Sequence, residues 1–201
     1  MIYIGDVHGK YGPYKQIIKD CQASIQVGDM GVGFFRSDGR PHTNPPFDHM
    51  TKNGRNHRFI RGNHDNPDVC SRHKQWIPDG SLEGDHMFIG GAFSIDKAYR
   101  TAGLDWWPDE ELSWQRLCDM ALAAKIHGPR VIVSHDCPKS IIQHMHSHHL
   151  FDNSRTQEGL QLLYEEWQPE YWIYGHHHKS FKYKEGKTTF ICLAELEVLE
   201  L

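Results

Sequence analysis

Five short polar clusters punctuate the chain, and all are built from residues that grip metals: Asp6-Val7-His8, Gly28-Asp29, Gly62-Asn63-His64-Asp65, Ser134-His135 and Gly175-His176-His177-His178. Four directly follow a short apolar run that reads as a β-strand: Ile2-Tyr3-Ile4, Ser24-Ile25-Gln26-Val27, Val131-Ile132-Val133 and Tyr171-Trp172-Ile173-Tyr174. The Gly62 cluster follows a weaker run, Arg58-Phe59-Ile60-Arg61. Ligands at the ends of adjacent strands converge at one edge of a sheet, where open α/β folds place their sites. One Asp or His after a strand is an ordinary turn residue. A carboxylate or imidazole at five strand ends points to a shared metal centre.

The surrounding sequence reads as a mixed α/β domain. Tyr14, Ile17, Ile18 and Cys21 recur at helical spacing behind Pro13, which suits a first helical turn, so a helix is expected over residues 13–21. Residues 31–58 hold Gly39, Pro41, Pro45, Pro46 and Gly54 without clear periodicity and read as a long irregular loop near the site. Residues 87–95 read as a strand broken by a glycine pair. Residues 109–126 predict the longest helix, with Asp109, Glu110 and Glu111 at its start and Gly128-Pro129 beyond its end. A shorter helix is expected over 156–167, and strands over 180–184, 188–193 and 195–199. Two mixed β-sheets flanked by helices, in one domain spanning residues 1–201, accommodate this order.

Composition narrows the function classes. The 201 residues suffice for one sizeable core, and 38% hydrophobic with 24% charged residues is ordinary for a soluble protein. A net charge of −4 gives no electrostatic footprint for nucleic acid. The five cysteines are scattered and odd in number, which argues against a disulfide framework and fits a reducing, cytoplasmic compartment. No secretory signal is read at the start, and no apolar run approaches the roughly 20 residues of a membrane span. The compositional anomaly is 16 histidines.

Asp, His and an Asn carbonyl form a mixed oxygen and nitrogen donor set. That set suits Mn²⁺ first, with Fe, Zn²⁺, Ni²⁺, Co²⁺ or Mg²⁺ as alternatives, rather than Ca²⁺. Asp6 and His8 stand two apart, as do His176 and His178, so on a continuing strand each pair faces one way. Only a carboxylate bridges two cations through both its oxygens, and Asp29 is the natural bridge.

The ordered set Asp-x-His, Gly-Asp, Gly-Asn-His-Asp, Ser-His and Gly-His-x-His resembles the calcineurin-like metallophosphoesterases, from Asp6 to His178. The resemblance implies a β-sandwich flanked by helices with two divalent metal ions at the strand ends. By motif, one ion would take Asp6, His8, Asp29 and His178, and the other Asp29, Asn63, His135 and His176. His64 would be the general acid, oriented by Asp65, with His177 a spacer pointing away. A bridging hydroxide would attack phosphorus while the ions clamp the attacking and leaving oxygens.

The chain departs from the family's serine/threonine phosphatase branch. Met30-Gly31 follows Gly-Asp where that branch continues toward a phosphate-binding Arg, and the third motif ends in Asp65 rather than Glu. A small phosphorylated or nucleotide substrate is therefore expected, with Arg36, Arg61 and Arg100 as substitute phosphate contacts. A nuclease or cyclic-nucleotide phosphodiesterase is the alternative. It draws on the basic residues of 36–58 and on Trp106-Trp107 as a base-stacking face, and a non-catalytic scaffold ranks third. His144, His146, His148 and His149 are extra imidazoles beyond the motifs, read as solvated and not assigned as ligands.

Overall fold

Successive side chains of a strand point to opposite faces, so the apolar runs of the strands cover both faces of two sheets whose inner faces meet. The structure is a computed structural model that describes residues 1–35, 45–145 and 153–201. One sheet holds β1 (Ile2–Ile4), β2 (Ala23–Gln26) and β3 (Asn56–Phe59), with β10 (Val198–Glu200) at its edge. The other holds β4 (Leu82–Glu83), β5 (His86–Ile89), β6 (Val131–Ser134), β7 (Tyr171–Tyr174), β8 (Phe181–Glu185) and β9 (Thr188–Cys192). Their orders are β10-β1-β2-β3 and β4-β5-β6-β7-β9-β8. Strands β1, β2 and β3 run parallel, as do β5, β6, β7 and β9, while β10, β4 and β8 are antiparallel to their neighbours. Both sheets are thus mixed, as expected.

Tyr3, Ile25, Phe88, Val131, Val133, Ile173 and Ile191 form the layer between the sheets. Their neighbours Ile132, Trp172, Tyr174 and Phe190 turn the other way, against α4 (Trp114–His127), α5 (Lys139–Met145) and α6 (Arg155–Glu166). Ile4 and Phe59 likewise turn outward onto Tyr11, Tyr14 and Ile18 of α1 (Tyr11–Ile18). Burying each such side chain contributes roughly 1.5–3 kcal/mol. Summed over the layers, that exceeds any single polar contact at the rim, so apolar packing fixes where the strand ends sit.

Several boundaries differ from expectation: α1 covers Tyr11–Ile18 rather than 13–21, β5 stops at Ile89 rather than 95, and β10 covers Val198–Glu200 rather than 195–199. The long helix starts at Trp114, not at residue 109: Ser113 caps it by accepting from Arg116 N at 3.3 Å. Glu110 and Glu111 instead reach other segments, Glu110 to Ser94 and Glu111 to the backbone N–H of Thr156. The expected loop 31–58 is partly regular. It contains α2 (Phe47–Thr51), a 3₁₀ turn and all but the last residue of β3, while residues 36–44 lie outside the described residues. Buried Met50 and half-buried Phe47 dock α2 onto the α1 side of the small sheet, a tertiary contact with no local periodicity to announce it. A four-residue helix, α3 (Pro67–Cys70), follows the third motif, capped by Asn66. Among the described residues no helix is long and apolar enough to cross a membrane.

Candidate metal centre

All the parallel strands that carry motifs end at the same edge. The loops after β1, β2 and β3 meet those after β6 and β7 there: Gly175 N donates to His135 O (3.1 Å) within the larger sheet, and His176 N donates to Asp6 (3.0 Å) across the two sheets. The backbone at the ligand positions is unusual. His8, Asp29, His176 and His178 all adopt positive φ, at 46°, 59°, 65° and 52°. Non-glycine residues rarely do so, and such strain concentrates at functional sites where surrounding structure holds it. Two glycines make the convergence feasible. A Cβ on Gly62 would collide with Asp29 Oδ1 and crowd His135 Nε2, and one on Gly175 would collide with Asp6 Oδ1.

The expected ligands fall into two groups that share Asp29: Asp6, His8, Asp29 and His178, and Asp29, His135 and His176, each with its ligand atoms within 4.8 Å of one another. In the first group His8 Nε2 lies 3.7 Å from Asp6 Oδ2, 3.7 Å from Asp29 Oδ2 and 2.8 Å from His178 Nε2. In the second, His135 Nε2 lies 3.3 Å from Asp29 Oδ1 and 3.1 Å from Asn63 Oδ1. Asp29 therefore turns one oxygen to each group. Its Oδ1 also accepts from His64 N at 2.7 Å, which holds the carboxylate in that orientation.

The donor chemistry fits divalent cations. His135 Nδ1 lies 2.9 Å from Val27 O, which can only accept, so the Nδ1 proton is committed and Nε2 presents a lone pair. That lone pair faces two oxygens, Asp29 Oδ1 and Asn63 Oδ1. Three acceptors aimed at one another require a positive charge between them. A proton answers the same demand: burial opposes it, but the Asp29 and Asp6 charges win and push the His135 pKa up to about 10. A cation at the same point replaces that proton. Asp6, fully buried, has its pKa held down at about 2 by contacts from His178 and His8, which outweigh burial.

His64 stands at the mouth. Its ring is T-shaped to His8 (centroids 4.9 Å apart) and stacked on Phe34 (4.7 Å). Arg100 Nη2 lies 2.9 Å from His64 Nε2, and Arg100 is itself anchored to Asp96 (2.7 Å). Burial pushes the His64 pKa down to about 4 against the pull of Asp29, with the Arg100 charge adding to the fall.

Two expectations are corrected. Asp65 does not orient the His64 ring. Its oxygens accept from the backbone N–H groups of Met30 (3.1 Å), Gly31 (2.7 Å), Val32 (2.8 Å) and Gly62 (2.8 Å), which locks the Asp29 loop to the Asn63 loop. Arg61 is not a phosphate contact. It is 3% exposed, paired with Asp79 at 2.7 Å and donating to the carbonyls of Asp109 and Glu110 (3.0 Å each), so its fork is spent on structure. Arg36 lies outside the described residues, as do His146, His148 and His149. His144 stacks on Tyr183 away from the site (4.1 Å). Trp107 is buried against Phe34, so the tryptophan pair is no open stacking face.

His177 turns away from the metal groups, as expected, and pairs with buried Asp136 at 2.9 Å. Asp136 also accepts from Cys137 N (2.8 Å) and Gln157 Nε2 (3.0 Å). Because Asp136 follows His135 and His177 separates His176 from His178, this pair clamps together the two loops that carry three ligands. Neither Asp136 nor Ser94, which contacts Asn63 Nδ2 at 3.0 Å, was marked by motif reading. The Ser94 loop carries no metal-ligand pattern, and its role follows only from what it touches.

The family profile of the calcineurin-like phosphoesterases matches residues 2–180. No curated protein matches the chain. Among solved structures, that of GAP50, described as the anchor in the inner membrane complex of Plasmodium, superposes with a TM-score of 0.48 at 11% identity, over 96% of this chain and 71% of that one. With its profile covering most of the sequence and all five motifs, the chain belongs to the calcineurin-like phosphoesterase family.

Proposed function

We propose that the chain hydrolyses a phosphoester of a small phosphorylated or nucleotide compound, using two divalent ions held by the paired groups. One observation carries this reading: Asp29 offers Oδ1 to the His135 group and Oδ2 to the His8 group. Asp6, His8, Asp29 and His178 hold one ion; Asp29, Asn63, His135 and His176 hold the other. When bound, such a pair neutralises the phosphate and lowers the pKa of a water nucleophile.

The chain's own side chains do the rest. Arg100, fixed by Asp96 beside the mouth, binds a phosphate oxygen through its planar fork. It supplies from the far side of His64 the cation that the Gly-Asp-Met-Gly loop lacks. His64 stands between Arg100 and the ligand His8, within reach of a leaving oxygen. In the free protein Arg100 donates to its Nε2; a phosphate drawing Arg100 away and adding negative charge favours the protonated imidazole that can deliver a proton. Asp65 holds the two loops in register. The scattered free cysteines favour a reducing compartment such as the cytoplasm.

Hydrolysis of p-nitrophenyl phosphate and bis-p-nitrophenyl phosphate with added Mn²⁺ tests the reading, with Asp29→Asn as control. Turnover of either that vanishes in the variant supports it. No turnover of either, with two ions per chain found by elemental analysis, counts against it.

A further inference from the structure

Ser94 and Glu110 lie outside every metal motif, yet they end a buried chain of hydrogen bonds that begins at a ligand. Asn63 Nδ2 donates to Ser94 Oγ at 3.0 Å. Ser94 Oγ in turn donates to Glu110 Oε2, and Ser94 N donates to Glu110 Oε1 at 3.0 Å. All three residues are at most 4% exposed. Arg61 holds the far end in place through its bond to the Glu110 carbonyl (3.0 Å).

The side-chain amide of an asparagine can present either its oxygen or its nitrogen, and shape alone does not choose. Here the proton count chooses. A serine hydroxyl has one proton, and the Glu110 carboxylate, which only accepts, takes it. Ser94 Oγ is left as an acceptor toward Asn63, and Arg100 Nη1, 3.4 Å away, approaches the same oxygen as a second donor. Only the NH₂ of Asn63 satisfies that acceptor. The carbonyl oxygen must then face the other way, toward His135 Nε2 at 3.1 Å. With the amide reversed, N–H groups would point at the cation site and repel it.

We propose that Glu110, acting through Ser94, is the positioning residue that selects the metal-binding orientation of Asn63. The pair thereby sets the affinity of the ion in the His135 group. The inference rests on the paired-ion reading above.

Mn²⁺ titrations of the full chain, followed by calorimetry and by the electron paramagnetic resonance of coupled Mn²⁺ pairs, test it. Wild type is expected to bind two ions. Ser94→Ala and Glu110→Gln are expected to keep one and weaken the other by about 10–100-fold, the usual cost of losing an outer partner of a ligand. In Glu110→Gln the new amide can donate to Ser94 and release its proton toward Asn63, so this near-isosteric change carries the test should Ser94→Ala not fold. Ser94→Ala made in an Asn63→Ala background is expected to weaken the ion no further, because the effect runs through Asn63. Two ions in wild type with unchanged affinities in both single variants overturns this inference alone, as does an undiminished Ser94 effect in the Asn63→Ala background. A wild-type chain that binds fewer than two ions overturns the paired-ion reading and this inference with it.

Discussion

The two ligand groups are built to different standards. The His8 group faces solvent: the His178 side chain is 51% exposed and that of His8 18%. The His135 group is the more enclosed of the two, with only His176 partly exposed. The His135 side chain is inaccessible, Asn63 is 2% exposed, and both are held by further polar partners, Val27 O for one and Ser94 for the other. In the His8 group only the carboxylates, Asp6 and the shared Asp29, are buried. A more enclosed group orients its donors before a cation arrives, whereas an open one leaves room for water and substrate. The expectation is a tight ion in the inner group and an exchangeable one at the mouth, where His64 and Arg100 also stand.

The change that would erase the difference is Asp29→Asn, since it removes the only charge the two groups share. The loss of several kcal/mol of transition-state stabilisation corresponds to about 10³-fold or more in kcat/KM. Steady-state kinetics beside elemental analysis check it, and a variant that keeps near-native activity breaks the shared-carboxylate picture.

Gly62→Ala attacks the enclosed side by steric means alone, since its Cβ would meet Asp29 and His135. Overpacking of this kind costs typically 1–3 kcal/mol, so a lowered melting temperature together with lost metal is expected. An unshifted melt with both ions retained would mean that the site is looser than its geometry.

A matched pair sharpens the contrast. After dialysis, His135→Ala should lose the inner ion, and excess Mn²⁺ should not restore it. His178→Ala should lose only the outer ion and regain it in excess Mn²⁺, after weakening of at least the roughly 10–100-fold seen for weaker perturbations. Equal rescue of the two variants removes the distinction between the groups.

The smallest effect belongs to the rim. Arg100→Lys keeps the charge and loses the fork, so KM should rise about tenfold, or about 1.4 kcal/mol, with metal content unchanged. A fall in metal content instead would reassign Arg100 from substrate to site structure.

The sequence by itself marked most of the strands, their order along the chain and the candidate ligands. Each of those rests on local chemistry: short continuous apolar runs mark strands such as β6 and β7, and a carboxylate or imidazole just beyond a strand end is visible one residue at a time. The partners of Glu110 and Glu111, the docking of α2 and the true partners of Asp65 and Arg61 were decided only by the tertiary structure. Each depends on a group distant in sequence: the backbone N–H groups of Met30, Gly31 and Val32 for Asp65, and Asp79 for Arg61. A lone charged residue looks alike in sequence whether it faces a substrate or a buried carbonyl. The fold made that choice, because in a dry interior a charge settles where its hydrogen bonds are satisfied.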